Sequence, residues 1–248
     1  MGVGRMRLDR FLVTRGFFAT RARARDAIIR GAVAVDGRSV SKPSQNVAAG
    51  AAVSVREEEG RYVSRAAFKL KHALDHFHID AAVDLALDIG ASTGGFTQVL
   101  LERGAKRVVA VDVGHGQIVP ALRSDHRVSV IEGLNARHLQ LADLPNRPEL
   151  IVCDVSFISL KLALLPALDL AAPGARVVAL VKPQFEAGRD AVAGSGIVTD
   201  EGIHRSVCED ISAWLSTQPR WRVLGLTSSP ITGADGNREF LIAAEKSS

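Results

Sequence analysis

The 248-residue sequence lacks any apolar run of 18 residues, the length that a membrane-spanning helix requires. Its most apolar stretches are interrupted by Asp84, Pro166, Asp169 and Pro173. The first residues, Met-Gly-Val-Gly-Arg, contain no apolar signal core, so we expect a soluble protein that stays in the cytoplasm. The two cysteines and seven histidines show no ligand spacing, which predicts reduced thiols and no metal site.

The positive charge of the chain is confined to its first quarter. Residues 1–60 contain 11 lysines and arginines against 6 acidic residues, whereas the remaining 188 residues contain 20 against 21. The net charge of +4 is therefore +5 in the first segment and −1 in the rest. A basic module attached to a near-neutral body is typical of a nucleic-acid anchor, although a solvated helix face gives the same bias.

Residues 5–60 predict a small α+β domain. Its expected helices lie at 7–16 and 20–30, and its expected strands lie at 32–35, 38–40 and 47–55. A module of this size is too small for catalysis, but arginines presented on its surface can bind the phosphates of structured RNA. The RNA-binding candidates here are Arg7, Arg21, Arg23 and Arg25.

Residues 61–248 alternate between strand and helix patterns. Strands are expected at 85–89, 107–111, 128–131, 149–153, 176–181, 221–227 and 238–244. Helices are expected at 65–78, 94–103, 158–168 and 200–217. This alternation predicts an α/β, Rossmann-like sheet whose ligands bind at the carboxyl ends of the strands.

The most informative motif is Asp-Ile-Gly-Ala-Ser-Thr-Gly-Gly-Phe-Thr at 88–97. It links an apolar strand to an amphipathic helix, an arrangement that brings bare backbone N–H groups up to a ligand. Its spacing differs from the G-x-G-x-x-G of dinucleotide folds and disfavours a nicotinamide oxidoreductase. Asp112 ends the next strand, where a carboxylate can hold ribose hydroxyls. Together these features favour S-adenosylmethionine (SAM), a nucleoside cofactor without a pyrophosphate.

Further cofactor candidates follow the other strands. Asn135 either contacts the adenine base or serves only in a turn. Asp88 is the residue expected to orient the glycine turn, and Phe157 either stacks on a cofactor or target base or packs in the interior. The cofactor-binding candidates are Asp88, Gly90, Ser92, Thr93, Gly94, Gly95, Asp112, Asn135, Asp154 and Phe157.

Four residues are the catalytic candidates: Lys69, Asp154, Lys182 and Glu239. Asp154 and Lys182 each follow an apolar strand, and Glu239 opens the last one. Burying an ammonium group without partners is expensive, so a lysine that directly follows a buried strand is expected to have a role. Such a set either performs chemistry or forms an internal network of salt bridges.

Two resemblances follow from these motifs. Arg7-Leu-Asp-x-Phe-Leu, Arg21-x-Arg-Ala-x-x-Ala-Ile and Val33-x-Val-Asp-Gly resemble the S-four-type RNA-binding domain. Nearly the whole chain resembles the TlyA family of rRNA methyltransferases, within the FtsJ-like class. The segments that carry this second resemblance are 62–70, 88–97, 112–117, 154–160, 181–186 and 236–240.

The resemblance implies SAM-dependent 2′-O-methylation of cytidine riboses in ribosomal RNA. We expect no metal, because the sulfonium carries its own leaving group, and no obligate protein partner. It places a catalytic tetrad on Lys69, Asp154, Lys182 and Glu239. Arg65 either binds RNA phosphate or is an ordinary surface residue. The chain stops shortly after its last strand, without the C-terminal extension of the longer subfamily. Whether one or both ribosomal subunits are modified is therefore left open.

The implied reaction displaces the methyl group of a sulfonium by a ribose 2′-hydroxyl, which is a weak nucleophile. Lys182 is the candidate base, although the pKa of a lysine starts near 10.4. Asp154 and Glu239 raise that pKa, whereas Lys69 and the positive cofactor lower it. We expect the lowering pair to prevail once cofactor and RNA exclude water.

Two other functions fit parts of the sequence. A ribosome-assembly protein with a degenerate methyltransferase fold would bind RNA without catalysis, but the intact motifs argue against degeneracy. A membrane-lytic protein is the second alternative, because relatives are called haemolysins, yet no amphipathic membrane helix stands out. The glycine-containing segment 191–199 either closes over the site or is a plain connector.

Overall fold

The computed structural model describes residues 5–18, 20–29, 31–55, 61–188, 196–233 and 235–248. The chain forms two compact units, residues 1–62 and 63–248. The acidic segment 57–60 lies outside the described residues, as does most of the glycine-containing segment 191–199.

The first unit packs two helices against short strands. Its strands are β1 (Arg5–Arg7), β2 (Val33–Val35), β3 (Arg38–Val40), β4 (Asn46–Ala48) and β5 (Val53–Val55). Its helices are α1 (Leu8–Thr14) and α2 (Arg21–Ile29). Strands β3, β2 and β5 form an antiparallel sheet, and β1 pairs with β4. Apolar residues of both helices and of β2 make one buried core, as the α+β prediction requires.

Two details of the first unit differ from the sequence prediction. The first helix begins at Leu8 and not at residue 7, because Arg7 pairs with Asn46 in the β1–β4 ladder. The single strand expected at 47–55 is two strands, separated by a turn in which the Ala51 N–H donates to the Ala48 carbonyl. A turn of this kind leaves little trace in an alternating apolar pattern.

The second unit is built on a seven-stranded sheet in the order β11-β12-β10-β9-β6-β7-β8. The strands are β6 (Ala86–Ile89), β7 (Val108–Asp112), β8 (Val128–Glu132), β9 (Leu150–Cys153), β10 (Arg176–Val181), β11 (Trp221–Ser228) and β12 (Phe240–Lys246). The helices are α3 (Ala66–His76), α4 (Gly95–Glu102), α5 (Pro120–Arg123), α6 (Leu160–Leu170), α7 (Pro183–Glu186) and α8 (Glu201–Ser216). The central strands are parallel and fully buried, which confirms the Rossmann-like α/β prediction.

Two short helices were absent from the sequence prediction. Helices α5 and α7 are four residues long, and each begins at a proline in its first turn. A single turn carries no 3.6-residue apolar period, so periodicity does not reveal it.

The strand directions bring the candidate residues to one edge of the sheet. Strands β6, β7, β9 and β10 are parallel, so Ile89, Asp112, Cys153 and Val181 end at that edge. Strand β12 runs antiparallel to β10 and starts there, with Phe240 opposite Val181. Within the described residues, no helix is long and apolar enough to cross a membrane.

Candidate active site

The glycine-rich turn lies directly between β6 and α4. Gly90 adopts φ +82°, and a Cβ at this position would lie 2.4 Å from the carbonyl oxygen of Asp154. Gly94, the residue before α4, adopts φ +99°. Both positions require glycine, because a side chain would collide or would have to adopt a left-handed backbone. The turn therefore brings its backbone close to the strand that carries Asp154.

Asp88 lies beneath this turn and is completely buried. Its Oδ2 atom accepts a hydrogen bond of 2.6 Å from the Thr97 hydroxyl, which ties β6 to α4. Burial raises the pKa of Asp88 to about 7, and the nearby carboxylates of Asp154 and Asp112 add to that rise. Asp88 contributes to the lining of neither cavity described below, so its position fits the orientation of the turn.

Asp112 ends β7 with its carboxylate held by two backbone amides. The Ser92 N–H donates to Oδ2 over 2.8 Å, and the Gly114 N–H donates to Oδ1 over 2.7 Å. Each carboxylate oxygen retains a further lone pair, so the group can still accept hydrogen bonds from a ribose diol. Ser92 adopts φ +47°, an uncommon conformation for a serine, at the point where the glycine turn meets Asp112.

A cavity of about 500 Å³ opens at the carboxyl ends of β6, β7 and β9. Six of the ten cofactor candidates line it: Gly90, Ser92, Asp112, Asn135, Asp154 and Phe157. Apolar walls come from Ile89, Val111, Leu134 and Ala163, so a planar base and a polar sugar would both find matching surfaces. Asn135 also fills the turn role, because its side chain accepts a hydrogen bond from the Arg137 N–H.

A second cavity of about 190 Å³ adjoins the first. The two share Gly90, Ser92, Asp154 and Ser156 in their linings. The smaller one is also lined by Ser64, Thr93, Gly95 and Lys182. Asp154 therefore lines both cavities, and the smaller cavity is also lined by Lys182, the candidate base.

The four catalytic candidates form two ion pairs. Lys182 Nζ lies 2.6 Å from Asp154 Oδ1 and donates to the Ser156 hydroxyl over 3.0 Å. Lys69 Nζ lies 2.5 Å from Glu239 Oε2, and both of these side chains are buried. The last register pair of β10 and β12, Val181 with Phe240, places Lys182 and Glu239 at neighbouring strand ends. Each buried ammonium group therefore has a carboxylate partner in the structure.

Phe157 is unusual because a large apolar side chain here is 91% exposed. Its backbone adopts φ +65°, which is rare and strained for an aromatic residue. Its ring lies 5.0 Å from that of Phe185, at the rim of the larger cavity. Interior packing, one of the alternatives for this residue, does not describe it.

The arginine candidates of the first unit differ in their surroundings. Arg7 and Arg21 both donate to Asp9, a buried carboxylate that the sequence analysis did not single out. Burial alone would raise the pKa of Asp9, but the hydrogen bonds from the two guanidinium groups lower it to about 2. Arg23 donates to the Tyr62 carbonyl, and Arg25 is exposed on α2.

Arg65 and Ser156 lie within a few residues of catalytic candidates. Arg65 is the partly buried residue that precedes α3, the helix that carries Lys69. The sequence prediction gave Ser156 no role, but its hydroxyl accepts a hydrogen bond from Lys182. Its place two residues after Asp154 was the available signal. In the part of the chain that the structure describes, no group of three metal-binding side chains occurs, and both cysteines are free thiols.

Comparison with known proteins identifies the family of the chain. Residues 62–246 match the model of the FtsJ-like methyltransferases, and residues 6–53 match that of the S4 domain. The chain is 43% identical over 240 residues to a Mycobacterium tuberculosis protein named 16S/23S rRNA (cytidine-2′-O)-methyltransferase TlyA, covering 96% of this chain and 89% of that one. It is 37% identical over 180 residues to a Campylobacter jejuni protein named 23S rRNA (cytidine-2′-O)-methyltransferase TlyA, covering 72% and 69%.

A solved structure from Streptococcus thermophilus, which carries a provisional hemolysin name, superimposes with a TM-score of 0.75 at 41% identity. The match covers 99% of this chain and 90% of that one. Family match, identity and fold together show that the chain belongs to the TlyA family of FtsJ-like methyltransferases and has an S4 domain at its N-terminus.

Proposed function

We propose that this protein transfers the methyl group of SAM to the ribose 2′-hydroxyl of cytidines in ribosomal RNA, in the cytoplasm where ribosomes assemble. The observation that carries the proposal is the pair of adjoining cavities that meet at Asp154, with Lys182 in the smaller one. Methyl transfer needs a chamber for the donor and a chamber for the acceptor, with the reacting atoms at their junction.

The larger cavity fits SAM in size and in chemistry. Its volume of about 500 Å³ lies in the range of cofactor sites. Asp112 would accept the ribose hydroxyls, Asn135 and the apolar wall would hold the adenine, and the turn at Gly90 would let the backbone approach the sugar. When bound, SAM supplies an electrophilic methyl group whose sulfonium is its own leaving group. Asp154, which lines both cavities, is an anion that would favour a positively charged ligand.

The smaller cavity would receive the target ribose. Lys182 Nζ is held there by Asp154 and Ser156, so its protons have a fixed direction. We assign the neutral amine of Lys182 the role of orienting the 2′-hydroxyl and taking its proton, while the oxygen would bond to the methyl carbon and the carbon–sulfur bond of the donor would break. Lys69 and Glu239 form a second buried ion pair, with Glu239 at the strand end next to that of Lys182. The remaining residues that line the smaller cavity would exclude water from the reacting atoms.

The first unit would supply RNA affinity. Arg23 and Arg25 on α2, with Arg7 and Arg21 beside Asp9, present guanidinium groups that can bind phosphates. Phe157, exposed at the cavity rim, offers a face on which an unstacked base can stack. Ribosomal subunits are therefore the proposed partners, and the names of the relatives leave both the small and the large subunit as targets.

The test is methyl transfer to purified ribosomal subunits. Separate small and large subunits from cells lacking the gene are incubated with the protein and methyl-labelled SAM, and 2′-O-methyl positions are mapped. We expect labelled cytidines with the wild type and with Lys161→Ala, a surface lysine paired with Asp210, and none with Lys182→Ala. SAM binding without transfer to either subunit would overturn the proposal in favour of a non-catalytic RNA-binding protein.

A further inference from the structure

Asn237 lies two residues before Glu239 and is 1% exposed. Its side-chain Oδ1 accepts a hydrogen bond of 2.9 Å from the Val198 N–H, and its Nδ2 donates over 3.0 Å to the Gly196 carbonyl. One amide side chain thus pairs with two backbone groups of the segment 196–198, in the way that a neighbouring strand would.

The segment 196–198 is fixed to the body of the protein at its other end. The Val198 carbonyl lies 3.0 Å from Nε2 of His204, a buried residue in the first turn of α8. Asp200 caps the same helix by accepting from the N–H groups of Gly202 and Ile203. Helix α8 buries an apolar face against the sheet through Val207, Ile211 and Leu215. Segment 196–198 is therefore hydrogen-bonded both to Asn237 and to helix α8.

The loop before β12 is also held by backbone hydrogen bonds near Glu239. The Gly233 N–H donates to the Asn237 carbonyl over 2.8 Å, and the Ser229 N–H donates to the Glu239 carbonyl over 2.9 Å. A Cβ on Gly233 would lie 2.6 Å from Glu239 Oε1, so this loop packs directly against the carboxylate. The position of the loop decides where that carboxylate meets Lys69.

We propose that Asn237 is a positioning residue, which fixes the Glu239 carboxylate against Lys69 by tying the Glu239 loop to the N-terminal end of α8. The inference rests on the proposed function, in which Lys69 and Glu239 stand beside the reacting group. Asparagine is suited to the tie because its amide both accepts from Val198 and donates to Gly196. Aspartate keeps only the acceptor, and alanine keeps neither.

The first test needs no activity. Amide hydrogen exchange of the free protein is measured for wild type, Asn237→Ala and the control Asn146→Ala, which removes an exposed amide side chain. We expect the Val198 amide to exchange at least about 10-fold faster in Asn237→Ala and to be unchanged in the control. Unchanged exchange of the Val198 amide in Asn237→Ala would show that Asn237 does not hold segment 196–198, whatever the protein methylates.

The second test asks whether Asn237 acts through Glu239. We expect Asn237→Ala to lower the methyl-transfer rate about 10- to 100-fold, with the Kd for SAM within about twofold of wild type. In a Glu239→Gln background the same substitution should cause no further loss, because the group it positions is gone. An equal loss in both backgrounds would show an independent structural effect and overturn the proposal.

If Asn237→Ala does not fold, Asn237→Asp takes its place, since it preserves shape and the acceptor for Val198. In Asn237→Asp a carboxylate oxygen faces the Gly196 carbonyl. We expect the methyl-transfer rate to fall as in Asn237→Ala, and we expect no further fall in the Glu239→Gln background. A wild-type protein that transfers no methyl group would contradict the proposed function, whereas the exchange experiment would still decide the tie.

Discussion

Lys182 Nζ lies 2.6 Å from Asp154 Oδ1, and this ion pair joins the ends of β9 and β10 where the two cavities meet. The lysine has two possible contributions there. Its positive charge can orient the acceptor, or its amine can take the proton of the 2′-hydroxyl.

Replacing Lys182 with arginine separates these contributions, because a guanidinium keeps the charge but does not release its proton at accessible pH. We expect Lys182→Arg to lower single-turnover methyl transfer by roughly 10²- to 10⁴-fold, the usual worth of a general base, while the Kd for SAM changes less than about threefold. Quench-flow with labelled SAM measures the rate, and equilibrium dialysis measures the Kd. A Lys182→Arg variant with a tenth or more of the wild-type rate would leave charge alone as the contribution of Lys182.

Replacing Asp112 with asparagine tests the ribose contact. Because Asp112 is held by the amides of Ser92 and Gly114, an asparagine keeps one of these acceptors but loses an oxygen facing the cavity. Losing a hydrogen bond to a charged group costs about 1.5–3 kcal/mol, so we expect a Kd for SAM raised roughly 10- to 150-fold. Calorimetric titration measures it, with Glu209→Gln, an exposed acid on α8, as the control. Equal affinity in both variants would remove Asp112 from the cofactor site.

The sheet and the residues at its strand ends were predictable because each depends on a short, continuous segment of the sequence. Apolar runs of four or five residues ended by Asp112, Asp154 or Lys182 reveal both a buried strand and the position of its carboxyl end. The glycine motif similarly fixes a turn between strand and helix.

The partnerships were not predictable, because they depend on contacts distant in sequence. Lys69 and Glu239 are 170 residues apart, and only the antiparallel register of β12 against β10 brings Glu239 to this edge. Asp9 and Asn237 belong to motifs that carry the two resemblances, but the sequence assigned neither residue a role, for a related reason. Each is an ordinary polar residue in the sequence, and its role arises from burial among partners that only the folded chain provides.

Asp88 makes the stability of the second unit depend on pH. Its pKa is raised to about 7, so the folded protein holds a proton that the unfolded chain releases near pH 4. Asp88 therefore stabilises below about pH 4, and this contribution is lost as pH rises through about 7. Asp88→Asn keeps an acceptor for Thr97 and does not ionise. We expect the stability of wild type relative to Asp88→Asn to fall between pH 4 and 7, by at most about 1.4 kcal/mol per pH unit.

Urea unfolding followed by tryptophan fluorescence measures this difference cleanly, because Trp214 and Trp221, the two tryptophans of the chain, both lie in the second unit. A difference that stays constant from pH 5 to 8 would contradict the raised pKa.

Two arginines four residues apart on α2 should behave differently when removed. Arg25 is exposed, so Arg25→Ala should weaken binding to a ribosomal RNA fragment and lower the slope of log K against log salt by about one. Arg21→Ala should do the same but also destabilise the first unit by about 1 kcal/mol, because the buried Asp9 loses a partner. Salt titrations and hydrogen exchange of residues 8–29 distinguish them. Equal stability in the two variants would show that the Arg21–Asp9 pair is inconsequential.

Phe157 distinguishes a contact with the cofactor from a contact with the target base. The residue is 91% exposed and strained at φ +65°, so Phe157→Ala should leave the unfolding free energy within about 0.5 kcal/mol of wild type. If its ring stacks on an unpaired base, the substitution should cost about 1–3 kcal/mol of RNA interaction and lower kcat/KM for ribosomal subunits roughly 5- to 150-fold. The Kd for SAM should be unchanged, and Phe157→Tyr should restore activity because it keeps the aromatic face. A raised Kd for SAM with unaltered RNA binding would instead assign the ring to the cofactor.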